Sequence, residues 1–122
     1  MGVQGGRVVL MTSGQGLGPM PGEVAYAASK AALAGITLTL ADQLADTGIT
    51  VNCVNPGPVD TGYVTQEILE QTAPMFPLGR WGRPDDPARL IEWLVGDEGA
   101  WMTGQVLNTE GGFARWRAPR SN

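Results

Sequence analysis

EVAYAASKAALAGITLTLADQLADTGITVNCVNPGP, residues 23–58, is the stretch that decides the fold. From Glu23 to Asp46 it carries no proline and a high density of Ala and Leu, which predicts a helix of more than twenty residues. Gly48 stands where a C-terminal capping glycine belongs. Ile49-Thr50-Val51-Asn52-Cys53-Val54 follows at once as a strand, closed by Asn55-Pro56-Gly57-Pro58. Upstream, Arg7-Val8-Val9-Leu10-Met11-Thr12 reads as a second buried strand, and Ser13 to Gly22, with four glycines and two prolines, is loop. Strand, long helix and strand make a βαβ unit with parallel strands and a right-handed crossover.

Downstream, Tyr63 to Gln71 is a short helix, after which Pro74, Pro77, Gly79 and Gly82 break the chain. Asp85 or Asp86 caps a further helix with Pro87 in its first turn, and Leu90, Ile91, Leu94 and Val95 line one face up to Gly96. Gln105–Thr109 is a third strand, closed by Gly111-Gly112. The order βαβαβ predicts an α/β layered fold. Its 122 residues are read as one partial domain, with 114–122 a flexible tail. Parallel strands are normally covered on both faces. Three strands and two main helices leave an open sheet edge and much of the long helix uncovered, which predicts either half of a larger domain or a chain completed by a partner.

Eight basic and twelve acidic residues give a net charge of -4, which argues against nucleic acid or an anionic membrane as partner. Arg115, Arg117 and Arg120 form the one local cluster of cations, read as a solvated tail. The absence of histidine excludes Ser-His-Asp and Cys-His chemistry and histidine-ligated metals. A single Cys53 forms no internal disulfide or cysteine cluster. No unbroken apolar run approaches a membrane span of roughly 18 residues, and the start lacks a signal-peptide pattern. Together these predict a cytoplasmic protein without metal chemistry.

Gly14-Gln15-Gly16-Leu17-Gly18 imitates a dinucleotide fingerprint, but Pro19 and Pro21 interrupt the helix that should begin within its glycines. It is a loop. Ser13 lacks the glycine two residues earlier that a nucleophile elbow needs, and no histidine serves as its base. Tyr26 and Lys30 carry more information. They stand at i and i+4 near the start of the long helix, on one face. An ammonium beside a phenol favours the phenolate and makes a tyrosine usable as a general acid or base. Spacing alone favours the plainer reading, a packed tyrosine and a solvated lysine, since such pairs are common. Ser13, thirteen residues before Tyr26 at the end of the first strand, brings a hydroxyl to the end of the sheet where α/β ligand sites gather.

Ser13, Tyr26-Ala27-Ala28-Ser29-Lys30, and Asn55-Pro56-Gly57 followed by Val59 and Thr61 resemble the classical short-chain dehydrogenase/reductases. Pro77-Leu78-Gly79-Arg80-Trp81-Gly82-Arg83-Pro84-Asp85-Asp86, and Thr103-Gly104-Gln105 through Gly111-Gly112, resemble the C-terminal region of that family, where 3-oxoacyl-carrier-protein reductases are found. The resemblance runs from about Arg7 to Phe113. It implies the C-terminal part of a Rossmann-like, doubly wound parallel sheet and hydride transfer between NAD or NADP and a small-molecule carbonyl/alcohol substrate. By the same resemblance Tyr26 is the acid/base, Lys30 assists it and holds the nicotinamide ribose, and Ser13 holds the substrate oxygen. Pro56 and Gly57 then face the nicotinamide ring, and Val59 and Thr61 its carboxamide.

The departures are equally specific. These 122 residues hold no Thr-Gly-x-x-x-Gly-x-Gly turn, no Asn-Asn-Ala-Gly stretch and no catalytic asparagine in a helix preceding the Ser13 strand, the parts that in the family hold adenosine, pyrophosphate and proton relay. Glu110 stands where many members carry aspartate. The expectation is therefore the catalytic half of an oxidoreductase, inactive alone and completed by an N-terminal half or by homo-oligomerisation. The alternative is a non-catalytic truncated remnant that folds as a self-associating module.

Overall fold

The computed structural model describes residues 5–117. Its regular elements are β1 (Arg7–Met11), α1 (Val24–Leu44), β2 (Thr50–Asn55), α2 (Gln66–Thr72), α3 (Asp85–Val95) and β3 (Val106–Asn108). The three strands form one parallel sheet in the order β1-β2-β3. Register runs from Arg7 opposite Thr50 to Met11 opposite Val54, and from Cys53 opposite Val106 to Asn55 opposite Asn108. The expected α/β architecture, with the long helix linking adjacent parallel strands, is what the chain adopts.

Each strand's burial follows its place in the sheet. Every residue of the central β2 is buried, whichever face its side chain takes, because α1 and α3 both pack on β1 and β2. The edge strand β1 is half-buried along its whole length. The core gathers Val51, Cys53 and Val54 of β2 with Leu94 of α3 and Ala41 of α1. The buried Asn52 side chain is satisfied at both ends: its amide donates to the Met102 carbonyl (3.0 Å) and its oxygen accepts from the Gln105 backbone N–H (3.1 Å).

α1 ends in a 3-10 turn, Ala45–Thr47, and Gly48 follows with φ 76°, the left-handed conformation its capping role requires. By length and mean hydropathy (1.4 over its most apolar window) Val24–Thr47 reaches what a membrane-crossing helix needs, although polar residues interrupt its apolar runs. Its tertiary role is different: it is the crossover between two strands that pair residue by residue, and it lies along them. The helix is apolar on nearly all sides and covered on few, with Thr37 and Ala41 its only buried residues.

Of the segment 114–122 read as a tail, Ala114 and Arg115 are structured. Ala114 is 1% exposed and donates its N–H to the Met75 carbonyl (2.8 Å), and Arg115 is ion-paired with Glu110. Arg117 is exposed, and Arg120 lies outside the described residues.

Candidate active site

Where β1 ends, side chains from α1 tie it down. The Thr12 N–H extends the ladder to the Val54 carbonyl (2.9 Å), and its hydroxyl donates to the Lys30 carbonyl (2.8 Å). The Lys30 ammonium reaches back to the Met11 carbonyl (3.2 Å). Ser13 leaves the sheet in extended conformation, its N–H donating to the Gln15 side-chain oxygen (3.2 Å), and a 3-10 turn over Gly14–Gly16 follows. Sheet end and helix start are thus joined through Thr12 and Lys30.

Tyr26 lies in the first turn of α1, with Lys30 one turn on. The Lys30 ammonium stands 5.8 Å from the centre of the Tyr26 ring, within the reach of a cation–π contact. Tyr26 is 45% exposed, and among the described residues its hydroxyl has no hydrogen-bond partner. The phenol is therefore free to meet a ligand, with a fixed cation beside it.

A cleft of about 230 Å³ opens at the same end of the sheet. Ser13, Gly14 and Met20 supply one wall, Asn55, Gly57 and Pro58 a second, and Glu110, Phe113 and Arg115 a third. All three segments follow C-terminal strand ends, where open α/β sheets bind ligands. Ser13 and Gly57 therefore share a site, whereas Tyr26 stands outside its walls. Pro56 lines a second cleft, of about 190 Å³, with Pro58, Leu78, Arg80, Asp86 and Glu110. Val59 pairs with Gly82 in an isolated bridge, and Thr61 is exposed; neither lines either cleft.

Three site residues were given no role by sequence reasoning. Asn55, 1% exposed, closes the end of β2: its oxygen accepts from the Gly57 N–H (3.0 Å), and its amide donates to Asn108 (3.0 Å) and to Glu110 (2.8 Å). Glu110 also takes a two-pronged pair from Arg115. Burial pushes the Glu110 carboxyl up, but hydrogen bonds from Arg115 and Asn55 and the Arg115 charge outweigh it, so it is held below its ordinary range. Gly57 has φ 70°, and a Cβ there would stand 2.9 Å from the Glu110 Cα. A close acid-and-base spacing, Glu110 to Arg115, was the only sequence signal, and such spacings are common on surfaces.

The sequence model of the family described as enoyl-(acyl carrier protein) reductase matches residues 1–114. The chain belongs to the short-chain dehydrogenase/reductase family. It is 56% identical over 110 residues to an uncharacterized oxidoreductase of Bacillus subtilis, YjdA, covering 90% of this chain and 44% of that protein. It is 44% identical to an NADPH-dependent aldehyde reductase-like chloroplastic protein of Arabidopsis thaliana, covering 89% and 42%. Among solved structures it superposes on the reductase LugOII, which catalyses keto-reduction at C1 in lugdunomycin biosynthesis, with a TM-score of 0.81 at 37% identity, covering 90% and 45%. The angucycline C-6 ketoreductase LanV, solved with NADP bound, gives 0.80 at 31%, covering 90% and 44%. The chain spans less than half the length of these relatives. Its family and its Rossmann-type α/β fold are those the sequence motifs implied.

Proposed function

We propose that this member of the short-chain dehydrogenase/reductase family is the catalytic half of an NAD(P)-dependent oxidoreductase acting on a small-molecule carbonyl/alcohol pair. The observation that carries this reading is the position of Lys30, whose ammonium is bonded to the last residue of β1 and stands beside the Tyr26 ring. Tyr26 is the acid/base that exchanges a proton with the substrate oxygen through its phenol. Lys30 sets a positive charge beside the Tyr26 ring, and Ser13 orients the substrate oxygen by a hydrogen bond. Charge that develops on that oxygen is stabilised most at the transition state, which is where such donors contribute to rate.

The residues at the cleft fit the nicotinamide end of the cofactor. A glycine at position 57 lets the turn pack directly against Glu110 and bare its backbone at the cleft wall, and the cleft of about 230 Å³ takes a ring-sized group rather than a whole dinucleotide. Gly57 would hold that ring, with Pro56 in the adjoining cleft, and Lys30 its ribose; the family resemblance alone assigns the carboxamide to Val59 and Thr61, which line neither cleft. When bound, the nicotinamide supplies or accepts the hydride. Pyrophosphate and adenosine require a glycine-rich turn and helix start that these 122 residues do not hold, so a complementing half, on this polypeptide or another, completes the site. The net charge of -4 argues against nucleic acid as a partner, and the lone buried Cys53 suits a reducing, cytoplasmic setting.

Tyr26→Phe tests the reading in the completed enzyme, by following NADH or NADPH oxidation with carbonyl substrates. Loss of a general acid/base costs roughly 100- to 10,000-fold, and the exposed, unpartnered hydroxyl predicts unchanged folding. Near-full turnover in this variant would remove Tyr26 from the chemistry. A second reading, a self-associating module without catalysis, is favoured by the exposure of Val24 (79%) and Leu38 (70%) on α1.

A further inference from the structure

Three loops meet at the cleft, and one ion pair touches all of them. Arg115 lies across the loop after β1: a Cβ at Gly14 would collide with its guanidinium, and one at Gly18 would stand 2.8 Å from its Cδ. Glu110 is pressed against the turn after β2, where Gly57 leaves no room for a side chain. Asn55 joins these by bonding the Gly57 N–H and the Glu110 carboxylate. The segment carrying both charges is itself anchored. Arg115 stands over the Phe113 ring (5.0 Å), Phe113 packs on Phe76, and Phe76 stacks on Trp81.

We infer that Arg115 and Glu110 are positioning residues, which lock the Ser13 loop and the Pro56-Gly57 turn in one fixed relation across the cleft. The inference deepens the oxidoreductase reading and rests on it for its catalytic consequence. Neither charge needs to touch the reacting atoms. Glu110 is 7% and Arg115 22% exposed at the side chain, so the pair is shielded from the solvent and salt that weaken surface ion pairs. Arginine is required over lysine because two parallel N–H donors fix direction as well as distance, while its flat guanidinium fits above the glycines of the loop. Ser13 precedes Gly14 directly, so a shift of this loop displaces the Ser13 hydroxyl.

The test uses Arg115→Met, Arg115→Lys and Glu110→Gln. Backbone 15N order parameters of the full chain are measured, together with kcat and KM in the completed enzyme. In Arg115→Met the order parameters of Gly14, Gly16, Gly18 and Gly57 should fall from near 0.85 toward 0.6, roughly the change from rigid to mobile backbone, while those of Val51 and Val54 stay high. Turnover should fall by roughly 100-fold, the scale of a misplacement of about 1 Å, with KM for the carbonyl substrate changed far less. Arg115→Lys should recover part of both losses, and Glu110→Gln should loosen the same two loops. Unchanged order parameters at both loops in Arg115→Met overturn the inference, whatever the activity. If Arg115→Met does not fold, Arg115→Lys decides by the same readout. If the unmodified completed protein reduces no carbonyl, the oxidoreductase reading fails, and the order parameters alone decide whether the pair positions the loops.

Discussion

Asp86 shows how one side chain can organise a segment. It takes two hydrogen bonds from the Arg80 guanidinium (2.7 and 3.0 Å) and a third from the Arg83 backbone N–H (2.7 Å). The Arg80 hydrogen bonds and the Arg83 N–H hold its carboxyl well below the usual carboxylate range. A lowered folded value means that its contribution is present above the unfolded value and is lost only as pH falls through the folded one. Asp86→Asn should therefore lower the melting temperature at pH 7 and still do so at pH 4, with the difference from the parent chain closing only in stronger acid. Melts followed by circular dichroism at pH 7, 4 and 2 check this, and a gap that closes by pH 4 contradicts it. The cap expected at Asp85 or Asp86 is not formed: Pro84 stands at the N-cap with no side-chain hydrogen bond, and Asp86, inside the first turn of α3, is drawn to Arg80 and the Arg83 N–H of the preceding loop. Glu110 and Arg115 were harder to read. In the sequence one is only a departure from aspartate and the other part of a basic end, because burial and pairing of two charges five residues apart depend on where the chain turns after β3.

At the scale of elements the reading was nearly complete where punctuation and composition agree. Gly48 and the proline-free run before it bounded α1, and β1 and β2 pair as the βαβ order requires. Boundaries moved where a side chain took over a backbone role. α2 begins at Gln66 rather than near Tyr63 because the Thr65 hydroxyl accepts the Ile68 N–H (3.2 Å) and caps it there. β3 begins at Val106 because Asn52 takes the Gln105 N–H. The apolar face expected on α3 is resolved unevenly: Leu94 is 1% exposed, whereas Val95 is 46% exposed. Leu94→Ala should thus lower stability by about 2–5 kcal/mol, the usual range for a buried leucine. Val95→Ala, at a position still in water, should cost far less. Urea unfolding of both variants decides, and equal shifts in midpoint would show that Leu94 holds no special place in the core.

The whole molecule has an unfinished exterior, and that determines its behaviour in solution. Val24, Ile36 and Leu38 of α1 stand 79%, 44% and 70% exposed, and a shallow apolar hollow of about 580 Å³ runs along the helix start beside Pro19, Met20 and Pro21. β1 pairs on one side with β2, and no described strand pairs on its other side. An open edge beside an apolar helix favours association. A stable dimer buries about 800 Å² on each partner, roughly a tenth of the 7772 Å² this chain exposes. The cofactor meets the opposite situation. On the proposed reading the cleft lined by Ser13 and Gly57 would receive the nicotinamide end alone, too few contacts to offset the cost of immobilising a large, flexible dinucleotide. These 122 residues should therefore self-associate and bind NADH and NADPH weakly, with dissociation constants above about 1 mM, equivalent to less than roughly 4 kcal/mol of binding. Light scattering gives the first quantity and calorimetric titration the second. A monodisperse monomer that binds either cofactor at micromolar concentration would mean that the exposed helix face needs no cover and that the three-loop cleft alone suffices for the cofactor.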